Sequence, residues 1–142
     1  MRSLLTFKPL YIMKRLALIS FALVSMLAFA ACSTPQKKAE QVTMNFFKAI
    51  KDGDYDKART YTASEQAEAY VNLMDYFASE ESEAEKEARS KMTSRITRTE
   101  GQDTITCYVE TIEPSDGPDT LTQKVVLTQV NNEWKIVELP MK

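Results

Sequence analysis

The sequence predicts an α+β domain in which N-terminal helices pack on a curved, four-stranded antiparallel sheet. Apolar residues recur with a period near 3.6 from Ala39 to Tyr61 and again from Ala67 to Ala78, and from about Met92 the period falls to two. Helices first and strands second is the pattern of the α+β class, because a sheet with one solvated face needs cover on the other. The two amphipathic helices are the available cover.

The first helix sets the frame. Projected around a helix, Ala39, Val42, Phe46, Phe47, Ala49 and Ile50 fall on one face, while Glu40, Gln41, Asn45, Lys48 and Lys51 fall on the other. One side must be buried. Thr34 and Pro35 supply a capping hydroxyl and a ring suited to the first helical position, and Gly53 can take the positive φ that ends the helix. Asp54 then caps a short second helix through Tyr55, Ala58 and Tyr61. Thr62-Ala63-Ser64-Glu65 fits a capping box with Thr62 as N-cap, and the helix after it gathers Ala67, Tyr70, Val71, Leu73, Met74, Phe77 and Ala78 on one face. Glu68, Asn72 and Asp75 occupy the opposite face. The glutamate-rich Ser79 to Lys91 stretch is expected to be a solvated extension of that helix, with Glu85–Arg89 and Glu87–Lys91 pairs at i,i+4.

Thr93 to Thr99, rich in threonine, suits an edge strand, and Gly101-Gln102-Asp103 turns the chain. Thr104 to Ile112 alternates Ile105, Cys107 and Val109 against Thr106, Tyr108 and Glu110. Glu113 to Asp119, with Pro114, Gly117 and Pro118, is expected to be a loop. Thr120 to Val130 holds Val125-Val126-Leu127, apolar on both faces as a central strand would be. Asn131-Asn132 suits a turn with positive φ, and Trp134, Ile136 and Val137 form the last strand.

Composition excludes several chemistries. With 142 residues there is room for one domain, and 44% hydrophobic with 27% charged residues is ordinary for a globular chain. There is no histidine, which removes histidine-paired nucleophiles, histidine-ligated metals and a histidine pH switch together. Beyond Ala31 the chain carries 14 basic and 20 acidic side chains, a net of −6, so nucleic acid is not an expected partner. Asp52, Asp54 and Asp56 alternate like the start of a calcium loop, but its glycine position falls on Lys57 and its closing glutamate position on Ala63. Those aspartates are helix terminators and caps, and neither a metal nor a cofactor is expected.

Lys14 and Arg15 precede an uncharged apolar run from Leu16 to Ala31, too short for a comfortable membrane span but suited to a signal-peptide core. The stretch Leu27-Ala28-Phe29-Ala30-Ala31-Cys32 resembles the lipobox of bacterial lipoproteins, with Phe29 where those usually carry leucine or another aliphatic residue. That resemblance implies cleavage between Ala31 and Cys32, a diacylglycerol thioether on Cys32, and an acyl chain such as palmitate on the new amino terminus. Residues 1–31 are then a signal peptide, 32–38 a lipidated cysteine and short linker, and 39–142 the domain. Met13 makes a compact start directly before Lys14, so the residues ahead of it are expected to lie upstream of the true initiator. Ser33 stands beside the anchor in place of an aspartate, which by resemblance to lipoprotein sorting rules implies the outer membrane, with the domain facing the periplasm. Cys107 then has no partner, and its place in an alternating strand makes it a small buried hydrophobe.

Phe46-Phe47-Lys48-Ala49-Ile50-Lys51-Asp52-Gly53-Asp54-Tyr55-Asp56-Lys57-Ala58, with the closing Trp134-Lys135-Ile136-Val137, is similar to small secreted members of the nuclear transport factor 2-like superfamily, many of them lipoproteins with a domain of unknown function. The resemblance implies a cone, a curved sheet whose concave side is closed by the first helix and can hold an apolar pocket. Phe46, Tyr70, Met74, Phe77, Tyr108 and Trp134 are the candidate lining; the competing expectation is that they fill a core. Catalysis is disfavoured: Tyr70 and Tyr108 could supply hydroxyls, but Asp75 projects away from the expected cavity and a tyrosine is more often core filler with a hydrogen-bonded tip. The expectation is a non-catalytic, lipid-anchored envelope module for binding or interaction, its specificity unwritten in the sequence, with docking of another envelope protein through its sheet or its acidic helix as one form of it. The alternatives are a small apolar ligand in the cone and, behind that, an isomerase-like enzyme.

Overall fold

A computed structural model describes residues 33–114 and 120–141. Pro35–Lys142 forms one compact unit, and every residue of its core cluster lies between Ala39 and Leu139. Ala31 and Cys32, with the leader before them, lie outside the described residues, as does most of the Glu113 to Asp119 loop.

Helix α1 (Pro35–Asp52) buries Ala39, Thr43, Phe46, Phe47 and Ala49 and keeps Val42 and Ile50 half-buried. This is the predicted stripe with Thr43 added, and Thr43 is tolerated there because its hydroxyl donates to the Ala39 carbonyl at 2.9 Å. Gly53 ends the helix at φ 73°, and the Asp54 carboxylate accepts the Lys57 N–H to open α2 (Tyr55–Thr60).

The start of α3 (Glu65–Glu80) departs from the sequence expectation. Ser64, in an extended conformation, is the N-cap and accepts the Ala67 N–H at 3.0 Å. Thr62 instead donates its hydroxyl to the Arg59 carbonyl and forms a parallel bridge with Ile136. The reason is tertiary. Ala63 N–H bonds the Ile136 carbonyl and Ile136 N–H bonds the Tyr61 carbonyl, so the α2–α3 connection is drawn out flat along the last strand. A second difference lies at Glu81-Ser82, where the expected helical extension breaks. Ser82 and Glu85 form a full capping box that starts a separate helix, α4 (Glu83–Lys91), which buries no residue. Glu87–Lys91 pairs as expected, but Arg89 reaches back to Glu81 and not to Glu85.

Strands β1 (Thr93–Gly101), β2 (Thr104–Ile112), β3 (Thr120–Val130) and β4 (Glu133–Glu138) form one antiparallel meander in the order β1-β2-β3-β4. Gly101, at φ 99°, turns β1 into β2, and Asn131 and Asn132, at φ 52° and 64°, make the two-residue turn into β4. The edge at β1 is interrupted by a bulge between Ile96 and Arg98, and the edge at β4 is covered by Tyr61 to Ala63. The inward row pairs Ile105 with Leu127, Cys107 with Val125 and Val109 with Gln123, and α1, α2 and α3 lie on it through the core.

Candidate ligand-binding groove

The core does not extend to the full length of the sheet. Beyond Val109 and Gln123 the next inward pair is Thr111 with Leu121, joined by Ser94 of β1, and here the apolar contact with the helices gives way to a groove of about 1010 Å³. Its roof is the last two turns of α1, with Phe47, Ile50 and Lys51. Its sides are α3, with Tyr70, Leu73, Met74 and Phe77, and α4, with Ala88 and Arg89.

The floor is polar and held in place. Gln123, nearly buried, donates its amide to the Tyr70 hydroxyl at 3.3 Å, and the Ser94 and Thr111 hydroxyls share a hydrogen bond of 3.1 Å. Burial pushes the Tyr70 hydroxyl above its usual pKa, with the Gln123 bond acting in the opposite sense. The rim is apolar: Leu73 is 39%, Phe77 53%, Leu121 60% and Met141 52% exposed, an unusual concentration of large side chains left to water in one place. α4 forms the remaining wall through Arg89. Its guanidinium is paired with Glu81 at 3.0 Å and donates to the carbonyls of Ile50 and Lys51, tying α4 to the carbonyl end of α1.

Three of the six residues proposed from sequence meet here. Tyr70, Met74 and Phe77 line the groove. Phe46 and Trp134 are buried in the filled core, Phe46 edge-on to Phe47 with ring centroids 5.4 Å apart. Tyr108 lies on the other face of the sheet, because the alternation that turns Ile105, Cys107 and Val109 inward turns Tyr108 outward. There its hydroxyl donates to Glu100 at 2.8 Å and the Arg98 guanidinium stacks over its ring at 4.0 Å. Asp75 is on the outer side of α3, paired with Arg59 at 2.8 Å. The sequence reading missed Leu121, Gln123 and Thr111 as lining. A signal was present: they continue the inward parity of Val125 and Val109, two residues at a time. Cys107 is fully buried, and burial raises its thiol pKa while Thr43 and Thr99 oppose the shift. Among the described residues, no cluster of acidic or cysteine side chains is arranged to hold a metal.

The chain matches no family model and no curated protein. In structure it is similar to an NTF2-like protein from Campylobacter jejuni, provisionally named a transpeptidase and solved by crystallography at 2.00 Å. The likeness covers 70% of this chain and 96% of that one, at 15% sequence identity and a TM-score of 0.51. The domain has the nuclear transport factor 2-like fold. At this identity the likeness speaks to architecture alone, and the chemistry of a nuclear transport factor 2-like domain has to be argued from its own groove.

Proposed function

We propose that this chain is a lipid-anchored cell-envelope protein whose nuclear transport factor 2-like domain is a non-catalytic binding module, taking an apolar part of its partner into the groove. The observation that carries the binding reading is the groove itself, about 1010 Å³ with exposed Leu73, Phe77, Leu121 and Met141 around a fixed polar floor. Such a surface is costly to leave in water unless something covers it.

The non-catalytic part rests on the lining. The hydroxyls at the groove floor bond to one another or to Gln123, with no histidine in the chain to activate them. The anchoring half rests on the sequence, where Leu27-Ala28-Phe29-Ala30-Ala31-Cys32 resembles a lipobox.

Two measurements test the two halves. Mass spectrometry of the mature protein is expected to find an acylated Cys32 as its first residue, and Cys32→Ser is expected to leave the protein out of the membrane fraction; a mature chain beginning elsewhere overturns the anchor. For binding, a photoreactive benzoylphenylalanine placed at position 77 is expected to form an adduct in intact cells that the same group at position 108 does not form. Equal labelling from both faces, or none, overturns the groove.

A further inference from the structure

We infer that the groove selects a cationic, amphipathic peptide segment, one that alternates apolar side chains with lysine or arginine. This inference rests on the groove being the binding site and adds the chemistry of its occupant. The charged residues along the groove are Glu80, Glu81, Glu85 and Glu113 against Lys51 and Arg89. Arg89 is already answered by Glu81 and by two carbonyls at the end of α1. Lys51 stands in the last turn of α1, where a cation complements the helix dipole.

Of the four carboxylates, Glu81 is taken by Arg89 and Glu85 accepts from the Ser82 N–H and hydroxyl, which leaves Glu80 and Glu113. Glu80 is the last residue of α3, a helix with no basic residue in its last turn, so its charge adds to that of the helix carbonyls. Glu113 follows the end of β2, and no ion pair joins it or Glu80 to another described residue. A negative potential therefore sits beside an apolar channel, and a positive charge carried by an apolar body satisfies both.

The shape favours a segment over a compact molecule. A second cavity of about 280 Å³ lies along α4 and shares Ala88, Met92 and Glu113 with the first. The two together are more voluminous than an ordinary small-ligand pocket, with Glu113 lining both. An extended chain can lay apolar side chains along them and bring a basic one to Glu113 and another to Glu80.

Three fluorescent peptides with the same leucine spacing and lysine, glutamine or glutamate between the leucines provide the test. They are titrated by anisotropy against the full acylated chain in zwitterionic vesicles, with empty vesicles as the blank. The lysine peptide is expected to bind about tenfold more tightly than the glutamate peptide at low salt, with the gap closing as salt screens it. Glu80→Gln with Glu113→Gln is expected to bring the three affinities together, and Phe77→Ala to weaken all three. Equal binding of the three peptides to the unmodified protein overturns the charge selection and leaves the groove as the binding site. Lysine-peptide binding that neither variant alters puts the contact elsewhere and overturns the inference. If none of the three binds although the photoreactive group at position 77 captures a partner, the peptide class is wrong; if that group also captures nothing, the groove is not the site.

Discussion

Tyr70 and Gln123 meet where the packed core becomes the groove, and their single hydrogen bond is what keeps a buried amide from standing unpaired. Tyr70→Phe is expected to cost about 1 kcal/mol at neutral pH, read as a lower urea midpoint, because Gln123 loses its acceptor. The same residue and Cys107 set an alkaline limit. Both hold their protons more tightly when folded, since burial penalises phenolate and thiolate. Their contribution is therefore complete below the ordinary values of 9.0 and 10.0 and is lost as pH rises through the higher folded values. The urea midpoint should begin to fall above about pH 9, where Cys107 ionises in the unfolded chain, and above about pH 10 should fall less steeply in Tyr70→Phe than in the unmodified protein. Cys107 should resist a thiol reagent in the native state and react at once in denaturant, whereas reaction at a similar rate in both would contradict its burial.

At the scale of elements, α4 is the weakest attachment in the domain. It buries no side chain and reaches the rest of the chain through Arg89, whose pair with Glu81 is more than four-fifths shielded from water. Arg89→Ala is expected to lower stability by about 2 kcal/mol and to raise amide hydrogen exchange across Glu83 to Lys91 more than in α1 or the sheet. Exchange rising evenly over the whole domain would show that α4 is not a separately held unit. The two glycines with positive φ make a contrasting pair. A Cβ on Gly53 would lie 3.4 Å from the Arg89 guanidinium, so Gly53→Ala should cost only the backbone strain, about 1 kcal/mol. A Cβ on Gly101 would lie 2.0 Å from the Thr104 carbonyl oxygen, and that variant should be clearly the worse of the two by thermal melting. The helix boundaries show how far pattern carries. Ser82 and Glu85 have the capping-box spacing as plainly as Thr62 and Glu65 do, yet only the former pair forms one. Thr62 is lost to the cap because the backbone on either side of it is recruited by β4.

For the molecule as a whole, the arrangement separates a filled core from an open groove along the same sheet face. Phe46, Val71, Ile105, Leu127 and Ile136 are fully buried in the former. Truncating Phe46 to alanine should cost about 3–5 kcal/mol. Truncating Phe77, half exposed on the rim, should leave stability nearly unchanged while weakening binding. A chain in which both changes lowered the melting temperature equally would mean that the rim is part of the core.

The class of fold, the meander and the strand boundaries to within two residues follow from the sequence, because alternation along a strand and the 3.6-residue stripe of a helix are local geometry that any packing has to respect. The buried face of α1, the glycine that ends it and the Asn131-Asn132 turn follow for the same reason. What a stripe does not contain is how far its partner extends. Phe46 and Phe77 both lie on the apolar face of their helix, yet Phe46 is sealed and Phe77 is left at the edge of a groove. Burial is a property of what stands opposite, and that is fixed when the elements pack.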